Sequence, residues 1–406
     1  MAADFLKSWN KDPFTTYSQG QIGLIAMRGC EELGTKVNDW LMQWHDTLAD
    51  DEEIPLYSPL GAGRENFLIH SYCPRFETGE AKGMIKETVR GFDMYILCDI
   101  GAYNCEYSMY GKMVPMSPDE HFQDLKRVIA AIGGKAKRVH VIMPLLYEAR
   151  QHRRSSRESL DCAIALQELE RLGVDNIITF DAHDSRVQNA IPISGFENIL
   201  PSYQIFKALL KADKTLSIDK SHLMIVSPDE GALDRNITFA SVLGLYLGLF
   251  YKRRDTSQVV NGRNPILAHD YLGDSVEGRD IFIYDDIISS GETMLEVARE
   301  LKCRKANRIF AAATYPLFTN GVESFHKAYA EGIIDKVIST NLTYRTEALK
   351  NAPWYAEADL SKYIAYIVAC LNHDRSLSSL LNPVKRIEKL RDRYQKEQTE
   401  AGFRFA

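Results

Sequence analysis

Two adjacent carboxylates, Asp285 and Asp286, follow the apolar run of DIFIYDDIISSGETMLEVARELK (Asp280–Lys302), and a short hydroxyl-rich stretch leads from them into a helical pattern. Each part has a chemical use. Free backbone N–H groups at a helix start, with the helix dipole behind them, hold a phosphate. Ser289, Ser290 and Thr293 add hydroxyl donors, and Gly291 permits close approach or a positive φ. Asp285 and Asp286 can accept hydrogen bonds from the vicinal hydroxyls of a ribose. A lone Asp-Asp is more often an ordinary helix cap. The ordered series of strand, paired acids, hydroxyls, Gly and Thr instead describes a loop for a ribose 5-phosphate.

Other chemistry-bearing clusters also end apolar runs. IVSPDEGALDR (Ile225–Arg235) sets Asp229 just past a strand pattern. GLFYKRRDTS (Gly248–Ser257) ends a strand in Lys252, Arg253 and Arg254, which taken alone is usually a solvated edge. IITFDAHDSRVQ (Ile177–Gln188) carries His183. Between two apolar patterns stand Arg150, Arg153, Arg154 and Arg157, a basic turn able to meet a small polyphosphate.

Short buried-strand runs position these residues. They are Phe67–Tyr72, Met94–Cys98, Val139–Met143, Asn176–Phe180, Leu223–Val226, Leu245–Tyr251, Ile281–Tyr284 and Arg308–Thr314, preceded by a short apolar run, Gln21–Met27. Helical patterns fill the intervals. The one from Ser117 to Ile132 opens with Ser-Pro-Asp-Glu, a cap, a first-turn proline and acidic charge. Such alternation implies an α/β chain of mostly parallel sheets with helices on both faces, and ligands then bind at the carboxyl ends of the strands. Asp46–Glu65 reads as an acidic, Pro- and Gly-containing surface loop. Past Pro383, the spacing of Val384, Ile387, Leu390 and Tyr394 predicts a packing helix.

The bulk figures fit two or three domains: 406 residues, 45% hydrophobic and 26% charged. A formal net charge of −6 disfavours a nucleic acid polymer as partner. The seven scattered cysteines include no C-x-x-C pair, which points to a reducing compartment. The amino terminus lacks the order of a secretory signal, and the longest apolar run, Leu243–Tyr251, is too short to cross a bilayer. The expectation is a cytoplasmic chain with no membrane role.

The Asp280–Lys302 segment resembles the phosphoribosyl-pyrophosphate motif of the type I phosphoribosyltransferase fold. The chain as a whole resembles the ribose-phosphate pyrophosphokinase family from about Gly20 to about Leu381. RFETGE (Arg75–Glu80) is similar to that family's R-F-x-D-G-E, with Thr78 where Asp is usual. YEARQHRR (Tyr147–Arg154) is similar to Y-A-R-Q-D-R-K, with His152 for Asp. FDAHDSRVQ is similar to D-L-H-x-x-Q-I-Q. IVSPDEGALDR resembles V-S-P-D-x-G-G-x-x-R, with Ala232 for the second Gly. In the ribose loop Ser289 replaces Asp, Ser290 replaces Thr and Glu292 replaces Gly.

The resemblance implies two phosphoribosyltransferase-type domains, each a mostly parallel sheet flanked by helices. An extension (1–19) would precede an ATP-side domain (20–199), a ribose 5-phosphate-side domain (200–382) and a helical tail (383–406). It implies ATP contacts from Phe76, Thr78, Glu80, Arg150, Gln151 and His152, with Phe76 stacking on adenine. Ribose 5-phosphate would meet Asp229, Asp285, Asp286, Ser289, Ser290, Gly291 and Thr293. Mg²⁺ would sit near His183 and Asp229, and Lys252 and Arg254 would be catalytic. The implied activity moves the diphosphoryl group of Mg-ATP to the 1-hydroxyl of ribose 5-phosphate in a homo-oligomer, dimer or hexamer. Two alternatives are a catalytically impaired regulatory paralogue that binds both ligands and a phosphoribosyltransferase that consumes phosphoribosyl pyrophosphate.

Overall fold

Runs such as Met94–Leu97 and Leu223–Val226 are apolar at every position, so they are stable only as strands covered on both faces. In the computed structural model, which describes residues 18–49, 64–154, 156–254 and 266–403, they form the centres of two sheets. The strands in chain order are β1 (Ile22–Ala26), β2 (Ser71–Tyr72), β3 (Met84–Ile85), β4 (Asp93–Leu97), β5 (Glu106–Met109), β6 (Lys112–Pro115), β7 (Arg138–Ile142), β8 (Asn176–Phe180) and β9 (Gly195–Ile199). They continue with β10 (Leu223–Ser227), β11 (Tyr246–Arg254), β12 (Ile266–Leu272), β13 (Asp280–Ile288), β14 (Ile309–Pro316), β15 (Lys336–Thr340) and β16 (Tyr355–Ala358).

Two compact units divide the chain. The first runs up to Ile199 and takes back Asn341–Tyr344 and Asp359–Leu381. Its sheet has the order β1-β4-β7-β8-β9, parallel throughout. The returning helix Ser361–Asn372 packs on helix Glu31–Ala49, with the Lys362 ammonium 4.4 Å from the Trp40 ring centre. Its last residue anchors it: Asn372 Nδ2 donates to buried Asp93 at 2.9 Å. Asp93 also accepts from Arg138, His140 and Tyr95. Burial alone would raise its pKa, but these donors hold the carboxyl well below the usual range.

The second unit holds Leu200–Thr340, Arg345–Ala358 and the chain from Asn382. Its sheet has the order β12-β11-β10-β13-β14-β15-β16, with only β12 antiparallel. From β10 the chain steps one way to β11 and β12, then crosses to β13 on the other side of β10. The β10/β13 junction is therefore the topological switch point, where α/β sheets open a ligand crevice. The tail helix Val384–Phe403 lies in this unit, its stripe of Ile387, Leu390 and Tyr394 buried as the spacing requires.

Several boundaries differ from the sequence reading. Phe67–Tyr72 is not one strand: Leu68 makes an isolated bridge to Leu24, and pairing resumes only at Ser71–Tyr72. The loop expected from Asp46 begins later, because the helix runs to Ala49. The strand expected to end at Tyr284 continues to Ile288, since Asp285 and Ile287 still pair with β14. The acid pair thus sits inside the strand. The β5–β6 hairpin is an element the apolar-run pattern passed over. The Ser117 helix has the expected capping box, Ser117 and Glu120 each accepting from the other's backbone N–H. Most of the amino-terminal extension, most of the Asp46–Glu65 loop and Asp255–Ser257 lie outside the described residues, as do the side chains of Lys252 and Arg254.

Candidate active site

At the switch point of the second unit two loops leave neighbouring strands, Pro228–Ala232 after β10 and Ser289–Gly291 after β13. Buried Asn236, on helix Leu233–Leu243, ties them together. Its Nδ2 donates to Tyr284 O at 2.7 Å and to Ser227 Oγ at 3.3 Å. Ser227 Oγ in turn donates to Asp229 O at 2.8 Å.

Gly291 caps helix Glu292–Cys303 at φ 84°. A Cβ there would stand 2.3 Å from the Phe325 ring, so the position demands glycine on both conformational and steric grounds. Ser290 Oγ accepts from Glu292 N at 3.4 Å, and Ser289 O accepts from Thr319 N at 3.0 Å. These bonds fix the start of this helix. The Glu292 side chain is exposed. Ala232 lies at φ −87°, where a methyl group is tolerated, so this loop needs no second glycine.

Arg235 reaches into the acid pair. Its Nη1 lies 3.2 Å from Asp285 Oδ1 and its Nη2 3.8 Å from Asp286 Oδ2. Burial pushes the Asp285 carboxyl well above its ordinary pKa, the Asp286 charge pushes the same way, and Arg235 opposes both. One guanidinium thus offsets the charge of both carboxylates. Arg235 closes IVSPDEGALDR and was not assigned a role from sequence. Its place in the first turn of the helix that follows the Asp229 loop is the signal that could have found it.

In the first unit the loops after β7 and β8 meet. His152 Nε2 lies 3.3 Å from Asp184 Oδ2, and the rings of His152 and His183 are 5.6 Å apart. Arg186 also binds Asp184 and, with His152, holds that carboxyl well below its ordinary pKa. His183 is exposed at the carboxyl end of β8. Arg150 is exposed, and Gln151 donates to Ser159 O at 2.9 Å. Phe76, Thr78 and Glu80 share one turn. It is closed by Phe76 N donating to Glu80 O at 2.7 Å, and Thr78 Oγ1 donates to Glu80 at 3.1 Å. Phe76 is 54% exposed at its tip. Among the described residues no group of three or more His, Cys, Asp or Glu is gathered as a ready-made metal cage.

The chain matches the model of the N-terminal domain of ribose phosphate pyrophosphokinase over residues 22–173. It matches the phosphoribosyl transferase domain over residues 196–341. The ribose-phosphate pyrophosphokinase of Vibrio parahaemolyticus is 28% identical over 312 residues, 76% of this chain and 90% of that protein. That of Mycoplasma genitalium is 27% identical over 319 residues, 77% of this chain and 90% of its own. The crystal structure of phosphoribosylpyrophosphate synthetase from Mycobacterium smegmatis superposes with a TM-score of 0.66 at 20% identity, covering 87% of this chain and 99% of that one. Fold and site thus define an enzyme built of two phosphoribosyltransferase-type α/β domains. The chain belongs to the ribose-phosphate pyrophosphokinase family.

Proposed function

We propose that this enzyme transfers the diphosphoryl group of Mg-ATP to the 1-hydroxyl of ribose 5-phosphate, releasing phosphoribosyl pyrophosphate and AMP. The observation that carries the reading is the pairing, at the β10/β13 switch point, of a glycine-capped helix start with an Arg-held carboxylate pair. The helix start, with Ser289, Ser290, Gly291 and Thr293, binds the 5-phosphate. Asp285 and Asp286 bind the ribose hydroxyls and orient the 1-hydroxyl. That oxygen attacks the β-phosphorus of ATP, the bond from the β-phosphorus to the α,β-bridging oxygen breaks, AMP leaves, and the hydroxyl proton is lost to solvent. Phe76, Thr78, Glu80, Arg150, Gln151 and His152 orient the nucleotide. Lys252 and Arg254 neutralise the charge that grows on the moving group.

Mg²⁺ takes one or two carboxylates and completes its shell with water and phosphate oxygens. Asp229, on the loop after β10, fits that donor set, and His183 is the second residue we assign to it. When bound, the ion supplies neutralisation of the phosphate oxygens. No helix among the described residues is long and apolar enough to cross a membrane. A cytoplasmic homo-oligomer, dimer or hexamer, completes the reading.

One observation favours a second reading, a regulatory paralogue that binds both ligands without turnover: the carboxylate of Glu292 stands in the first turn of the phosphate-binding helix. AMP release from Mg-ATP, with and without ribose 5-phosphate, separates the two. Release that requires the sugar supports diphosphoryl transfer. Binding of both ligands with no AMP supports the paralogue.

A further inference from the structure

The β5–β6 hairpin is joined by two residues, Tyr110 and Gly111, with Met109 paired to Lys112. Both stand at positive φ, 48° and 73°. Such turns are ordinarily filled by Asn-Gly or Gly-Gly, because a bulky side chain is strained there. Tyr110 is nonetheless 74% exposed, so its ring is not retained for packing. A strained residue that contributes nothing to the core directs attention to function.

Three contacts set the hairpin beneath the Arg75–Glu80 turn. The Arg75 guanidinium lies 4.9 Å from the Tyr107 ring centre, and Arg75 is itself held by Asp124 at 2.6 and 2.9 Å. Gly79, at φ 91°, leaves room for Met109, whose Sδ would be 2.7 Å from a Cβ there. Tyr110 N donates to Glu77 O at 2.9 Å. Tyr107 also hydrogen-bonds Glu120, which fixes the hairpin to helix Pro118–Ile132. The backbone of Tyr110 is thereby locked to the residue next to Phe76, and the two exposed rings emerge from adjoining backbones.

We propose that Tyr110 is a second stacking residue for the purine base of the nucleoside triphosphate and, with Phe76, sets nucleotide affinity. The inference rests on the reading of the Phe76 turn as part of the nucleotide site. A base offers a flat π face to each ring, and such stacking contributes to affinity whatever the base's hydrogen-bonding edge. Tyr107 and Met109 act through the turn as positioning residues.

The test uses the full chain, with calorimetric dissociation constants for ATP and for tripolyphosphate, which has no base. Tyr110→Asn weakens ATP binding by about five-fold or more. It leaves tripolyphosphate binding unchanged and does not lower the thermal midpoint, since Asn accepts the turn geometry. Tyr110→Phe restores the affinity lost in Tyr110→Asn. Unchanged ATP affinity in Tyr110→Asn overturns the proposal, as does an equal loss for both ligands. A lowered midpoint would instead assign the ring to the fold, and a changed oligomeric state with unchanged affinity would assign it to a contact between copies; either also overturns it. Turnover is a separate readout: a wild-type chain that binds ATP through Tyr110 but forms no AMP sinks the diphosphokinase reading and leaves this one standing.

Discussion

Replacing Arg235 by Met removes the cation between Asp285 and Asp286 while keeping most of the side-chain volume. The contacts are 3.2 and 3.8 Å, between side chains only 10%, 20% and 8% exposed for Arg235, Asp285 and Asp286. At an effective dielectric of about 20, unit charges this close attract by about 4–5 kcal/mol before desolvation. Stripping one partner from a buried ion pair costs about 3–5 kcal/mol. We take the lower end, about 3 kcal/mol, because Asp285 keeps partial access to water. The cost also depends on pH. Asp285 has a folded-state pKa above its unfolded one, so its contribution to stability is fully present in acid and is lost as pH rises through the folded value. Without Arg235 that value rises further, at about 1.4 kcal/mol per pKa unit. Urea unfolding followed by circular dichroism at about pH 5 and about pH 8 should show a deficit larger at the higher pH by at least about 1 kcal/mol. The KM for ribose 5-phosphate should rise as well. An equal deficit at both pH values, or one under about 1 kcal/mol at the higher, would refute the view that Arg235 holds the acid pair.

Gly291→Ala meets both a positive φ and the Phe325 ring at 2.3 Å. It should cost about 2 kcal/mol or more, read as a lower thermal midpoint, and weaken ribose 5-phosphate binding. Arg75→Ala unpairs buried Asp124 on one side only, because Arg127 still donates to it at 2.7 Å. The expected loss is therefore about 2 kcal/mol, below the usual cost of a stripped pair, and urea midpoints measure it. Lys252→Ala should lower kcat by about 100-fold or more and leave the ATP dissociation constant nearly unchanged, which steady-state kinetics beside calorimetry would separate.

The central strands were legible because a parallel strand buried on both faces has few sequences open to it, and Met94–Leu97 of β4, Leu223–Val226 of β10 and Ile281–Tyr284 of β13 are continuous apolar runs. The turn from β13 into helix Glu292–Cys303 was legible because its hydroxyl residues and Gly291 are consecutive. The extent of β13 was not, since two aspartates read as a strand end unless a neighbour is seen to pair with them; Ala313 opposite Asp285 supplies that partner. The return of Ser361–Asn372 to the first unit rests on contacts between residues far apart in sequence, among them its packing on Glu31–Ala49 and the bond from Asn372 to Asp93. The β5–β6 hairpin escaped for a different reason. Its inward residues Tyr107 and Met109 alternate with polar ones, and its turn carries Tyr-Gly in place of the expected Asn-Gly.

The central claim is diphosphoryl transfer, and the most direct measurement is AMP formed from Mg-ATP by the full chain, with and without ribose 5-phosphate. The account predicts AMP in amounts matching phosphoribosyl pyrophosphate, only when the sugar phosphate is present, and its loss in Lys252→Ala. Sugar-independent AMP, or no AMP from a chain that binds both ligands, would contradict it.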